Sequence, residues 1–219
     1  MTPVQSFGAG SVRPFRLLLR VVMALILGSG AVACGGSVAT FGPAGACAAD
    51  GRAPGAYPEL EASLPASLDG EAPEALDSGR NCSDGALGSL ISHDLHEVRF
   101  AGATWDRGGG SGVSSVVFAS AAGTLPAAWI AEFYEIGART AKRTENIEAT
   151  RPKFPGVSEA WRLDTLNDLS LQTVVTWQAG DLVRAVLVAT PVAPGASRQA
   201  HDALVEAAVH AALEAPAGR

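Results

Sequence analysis

Basic charge is scarce in this chain, and so are long apolar runs, cysteine and the usual signatures of nucleotide or covalent chemistry. Its 219 residues include 16 lysines and arginines against 22 acidic residues, a formal net charge of −6. A general nucleic-acid binder needs a basic face to neutralise phosphates, so that class is excluded. The apolar run Val21 to Ala33 is thirteen residues long, short of the roughly 20 that a bilayer-spanning helix requires. Gly108-Gly109-Gly110-Ser111-Gly112 lacks the lysine of a phosphate loop. Val113 stands where a dinucleotide fingerprint or a nucleophile elbow around Ser111 would need glycine. No internal repeat is evident.

What the N-terminus does hold is an address. Arg13, Arg16 and Arg20 precede the apolar segment Val21 to Leu27, and Gly28 to Ala33 is a run of small residues, the anatomy of a secretory signal. Ala31-Val32-Ala33-Cys34 resembles the lipobox of bacterial lipoproteins, so the chain resembles a lipoprotein precursor. The resemblance implies that residues 1–33 are a cleaved signal peptide and that Cys34 is acylated as the mature N-terminus. Ala31 occupies the position where leucine is commonest. Ala31-Val32-Ala33 also resembles the A-x-A site of ordinary secretory cleavage, which would release a soluble protein.

Cleavage before Cys34 removes three arginines and no acid, leaving 13 basic and 22 acidic residues, a formal charge of −9. Such a chain has no electrostatic hold on anionic lipid, so membrane attachment falls to the acyl chains on Cys34. With Cys34 lipidated, the remaining two of three cysteines, Cys47 and Cys82, are left to pair in an oxidising compartment. A bridge closing that loop is worth roughly 4 kcal/mol in the chain-entropy model. Two free buried thiols are the alternative.

Residues 34–55 are nearly all Gly, Ala, Ser and Pro around Phe41 and read as a flexible tether. Residues 56–215 read as one α+β domain. Tyr57, Leu60 and Leu64 have helical spacing, Ala66 to Asp84 is broken by Pro and Gly, and Leu87, Leu90, Ile91 and Leu95 favour a helix. Val98 to Trp105 and Val113 to Ser120 read as strands around a long glycine-rich loop. A helix follows, capped by Thr124, with Leu125, Trp129, Ile130, Phe133, Tyr134 and Gly137 in a stripe. Trp161 to Leu163 reads as a short strand, and Leu171 to Trp177 with Leu182 to Ala189 as a hairpin. A last helix starts near Ser197. The expected fold is therefore an antiparallel sheet of about four to five strands with two main amphipathic helices packed on one face.

Chemistry is thinly marked. His93 and His96 with Asp94 and Glu97 form the densest cluster of ligand-type residues, read as a solvated polar turn rather than a metal site, which needs three or four ligands. Arg139, Lys142, Arg143, Arg151 and Lys153 gather cations into an anion or partner patch, although three of them also suit the C-terminal end of a helix. The tryptophans and Tyr134 read as core. No cofactor or metal is expected. The expected function is a non-catalytic binding, sensing or assembly module held to the membrane through Cys34, with an unidentified protein or small-molecule ligand and no nucleic acid. The alternative is an envelope hydrolase with His93 or His96 assembled against Asp94, Asp106 or Asp164.

Overall fold

A computed structural model describes residues 40–121, 123–192 and 197–216. The signal segment, Ala31-Val32-Ala33 and Cys34 lie outside the described residues. Strands β3 (Val98–Gly108) and β4 (Ser111–Ala119) form a hairpin. Its turn is tight rather than long: Gly109 and Gly110 both have positive φ, +59° and +87°, the backbone that two-residue hairpin turns demand.

The chain then crosses the sheet through helix α3 (Ala127–Thr140) to the far edge, β5 (Thr144–Thr150). A meander returns through β6 (Ala160–Asn167) and β7 (Ser170–Ala179) to β8 (Leu182–Pro191), which pairs with β4. On the other flank, β1 (Gly51–Ala53) and β2 (Ala75–Asn81) extend the sheet beyond β3. The result is one antiparallel sheet in the order β1-β2-β3-β4-β8-β7-β6-β5.

Among the described residues, eight strands and four helices replace the expected four to five strands with two main helices on one face. The additional strands are β1, β2 and β5, together with most of β6. β2 reads ALDSGRN and β5 reads TENIEAT, with no apolar alternation to betray them. β5 is an edge strand, paired on one side, where charges discourage further pairing; β2 lies between β1 and β3 and buries the polar Ser78, Arg80 and Asn81, which carry no apolar period.

The helices also divide between the two faces. Along β8, Leu182, Val186 and Val188 face one core while Val183, Ala185 and Leu187 face the other, the alternation of a strand buried on both sides. The first core is covered by α1 (Pro58–Glu61) and α4 (Arg198–Glu214), through Leu60, Val205, Ala208, Val209 and Ala212. The second is covered by α2 (Asp84–Leu87), a 3₁₀ turn (Gly88–His93) and α3. Ser197 caps α4 by accepting from the Ala200 amide at 3.0 Å. For α3 the cap is Pro126 rather than Thr124, and Gln178 of β7 accepts the Ala127 amide at 2.9 Å.

Cys47 and Cys82 form a disulfide with Cα atoms 5.9 Å apart. The segment from Thr40 to Ala53, within the stretch whose composition suggests a tether, runs along the domain at this bridge. The buried Arg80 donates to the carbonyls of Gly45 (2.9 Å) and Ala46 (2.8 Å). Asp50 accepts the amides of Cys82 (2.6 Å) and Ser83 (2.8 Å). Partial burial works to raise the Asp50 carboxyl, and these bonds outweigh it, leaving the group below its ordinary range. Among the described residues no helix is long and apolar enough to cross a membrane.

Candidate functional site

Helix α3 touches the sheet firmly only at its start, where Ala127 and Ile130 are buried. Farther on, the stripe that should hold the helix down runs out of bulk, because Gly137 occupies the inward position one turn after Phe133 and the helix ends at Thr140. A Cβ placed on Gly137 would meet nothing within 4 Å. The space left between α3 and strands β5 to β8 forms two chambers of about 270 and 230 Å³. Tyr134, Leu163 and Val174 line both, so the chambers are halves of one cleft.

The larger chamber is walled by Phe133, Ile136 and Leu187 and floored by Thr165 and Gln172 of the sheet. The smaller is bounded by Trp161, Thr176 and Arg151. Three residues of the lining carry a hydroxyl that is buried without a hydrogen-bond partner among the described residues: Ser89 of the larger chamber, Thr176 of the smaller, and Tyr134, which lines both. Each such group costs about 1–3 kcal/mol unless something meets it. Tyr134 is partly exposed as a residue while its hydroxyl is buried. Burial raises the phenol above its usual range, so it remains a protonated donor.

The charges around the cleft are already matched. Arg151 donates to Glu159 at 2.7 Å, and its guanidinium lies 4.5 Å over the Trp161 ring. Glu135 pairs with Arg139 at 2.6 Å. Arg162 is held by Asp164 at 2.7 Å and Asp202 at 2.5 Å.

On the opposite face a second polar group is sealed beneath α4. Thr173 Oγ1 lies 2.5 Å from Asp164 Oδ1 and 2.7 Å from His201 Nε2, and His201 Nδ1 lies 2.8 Å from Thr190 Oγ1. Thr173 has one proton and the carboxylate can only accept, so His201 must donate from Nε2 and accept at Nδ1. Burial, then Arg198, pulls the imidazole below its ordinary value against the opposing pull of Asp202 and Asp164. His201 and Thr173 are each 1% exposed, which withholds them from any substrate.

The residues singled out in the sequence scatter. His93 stacks on Trp129 with centroids 4.3 Å apart, and its Nε2 lies 2.9 Å from Glu132, fastening the 3₁₀ turn to α3. His96 sits 3.2 Å from Asp94, both exposed, and Glu97 accepts from Arg99 at 2.8 Å. Asp106 accepts the Gly108 amide at 2.8 Å in the β3 bulge. Among the described residues no three His, Cys, Asp or Glu side chains are placed to hold a metal ion.

The five cations fall into two groups. Arg139, Lys142 and Arg143 lie where α3 passes into β5, whereas Arg151 and Lys153 follow the other end of that strand. Seven strand residues separate them by about 20 Å, beyond the ~8 Å over which charges act together at physiological salt. Arg143 pairs with Asp168 at 3.3 Å. Trp105 and Trp177 are core, while Trp161 and Tyr134 line the cleft.

Sequence reasoning passed over Ser89, Tyr134 as a polar group, Thr176 and His201. The available signal was an apolar helical stripe ending in Gly137. No protein-family model and no curated protein matches this chain.

Proposed function

We propose that this chain is a lipid-anchored extracytoplasmic module that works without catalysis, by holding a small ligand in the cleft under α3. The observation that carries the binding assignment is the coincidence of a two-chambered cleft with three unmatched buried hydroxyls. Together the chambers fall within the roughly 300–1,000 Å³ of small-molecule sites, which are mostly apolar with a few polar groups. The sealed position of His201 and Asp164 favours binding over hydrolysis.

Anchorage rests on the lipobox-like Ala31-Val32-Ala33-Cys34. The Cys47–Cys82 bridge supports an oxidising compartment, where disulfides persist. Both halves of the proposal are tested on the full chain made in a bacterial host. Radiolabelled palmitate should enter the wild type and not Cys34→Ala; labelling of neither would reduce the protein to a secreted form. The neutral apolar dye N-phenyl-1-naphthylamine should brighten on binding the wild type. Gly137→Leu, which fills the larger chamber, should remove that signal, and an undiminished signal would move binding elsewhere.

A further inference from the structure

From the charge balance around the cleft, we infer that its ligand is an uncharged amphiphile: an alkyl-type apolar chain carrying a hydroxyl, ester or amide oxygen, rather than a carboxylate or phosphate. The inference rests on the proposed reading of the cleft as a binding site. Three sets of observations carry it.

The first is length and lining. Cleft residues on α3 run from Ala131 to Thr140, about 14 Å along the helix axis. Phe133, Ile136, Leu163, Val174 and Leu187 supply apolar contact along that run. An extended, slender apolar chain fits this shape, whereas a compact polar solute would leave these walls facing water.

The second is the unmatched hydroxyls. Tyr134 Oη and Thr176 Oγ1, both on the smaller chamber, can each donate one hydrogen bond and accept others. A ligand oxygen that reaches either hydroxyl would satisfy a donor that has no partner among the described residues. A neutral hydroxyl, ester or amide oxygen does this at low desolvation cost, because it was never strongly hydrated as an ion.

The third is the charge. No charged side chain lines the larger chamber, and in the smaller one Arg162 turns to Asp164 and Asp202 on the α4 face, which leaves Arg151, in an exposed pair with Glu159, as the cation of the described lining. An anionic head group buried along the cleft would therefore lose its hydration with no buried cation beside it. A cationic head group meets the converse obstacle, since Glu135, part-exposed and paired with Arg139, is the lining's carboxylate.

The test uses the full chain, with decanol and decanoate displacing N-phenyl-1-naphthylamine. Decanol should compete at least about tenfold better than decanoate. Tyr134→Phe combined with Thr176→Val should weaken decanol about tenfold, the worth of two hydrogen bonds, while melting at or above the wild-type temperature. Gly137→Leu should abolish competition by either. Decanoate competing as well as decanol, or an unchanged decanol affinity in the double variant, would overturn the neutral-amphiphile inference while leaving the cleft as a site. No dye binding to the wild type, or dye binding untouched by Gly137→Leu, would instead overturn the cleft itself and the inference with it.

Discussion

The regions beneath α4 and beneath α3 handle buried polar groups in opposite ways. Under α4 the interior polar network is matched within the protein: Thr173, His201, Thr190 and Asp164 form a closed chain of hydrogen bonds. Arg184, 3% exposed, donates to the carbonyls of Ala212 (2.8 Å) and Pro216 (2.6 Å), with a longer contact to Ala215 at 3.4 Å. It fills the role of a C-terminal cap, since the last carbonyls of a helix have no partner within it. Under α3 three hydroxyls go unmatched and the packing opens into a cleft. A polar interior closed on itself explains stability, whereas a polar interior left open beside space is where a ligand gains most.

The comparison breaks most severely if Arg184 can be removed without harm. Arg184→Met should cost about 3–4 kcal/mol, because it orphans buried carbonyls at the end of α4. A fall in the urea midpoint at unchanged m would register it. Thr173→Val should cost about 2 kcal/mol by stranding the His201 Nε2–H and removing a donor from Asp164. Thermal melts of that variant beside Thr176→Val sharpen the contrast, since the latter removes a hydroxyl without a partner and should cost far less.

The closed face should also respond to pH. The imidazole of His201 is held below its ordinary pKa of 6.5, so below pH 6.5 the unfolded chain takes up a proton that the folded one refuses. Its contribution to stability is complete above pH 6.5 and is lost as pH falls toward the folded value. Denaturation between pH 7.5 and 5 should show this decline, flattened in His201→Gln. Asp202 follows in a more acid window. Burial pushes its carboxyl up, the pairs with Arg162 and Arg198 outweigh this, and the resulting stability fades below pH 3.8.

On the open face the sign of mutation reverses. Tyr134→Phe should stabilise the free protein by up to about 1 kcal/mol, because it deletes a buried donor that nothing meets, while weakening decanol. Gly137→Ala should add a similar or smaller increment, roughly 0.8 kcal/mol, from helix propensity alone. A loss of stability in either variant would mean that α3 packs down on the sheet and that no cleft separates the two faces.

How much of this was legible depends on the element. The β3–β4 and β7–β8 hairpins and helices α3 and α4 announce themselves, because elements that bury an apolar face must repeat it at period 2 or 3.6. β2 and β5 do not, since their pairing comes from neighbours that sequence cannot place. The glycine run around Gly109 suggested a long loop, but two positive-φ glycines need only two residues to reverse the chain. At the site, the loss of bulk at Gly137 was readable, but the placing of Tyr134 and Thr176 on one chamber was not. Those two residues are 42 positions apart and share a chamber only because α3 crosses to the far edge before the meander returns.

The amino-acid sequence by itself determined the signal-like N-terminus, the acidic charge balance, the small number of cysteines, and the two hairpins and two long helices that show their periodicity. These follow from local composition and periodicity, which act within a few residues. Tertiary structure decided the number of strands, the division of helices between two faces and the difference between a sealed network and an open cleft. Those depend on which polar groups find partners across the sheet, and hydrogen bonding between distant segments leaves no periodic trace in the chain.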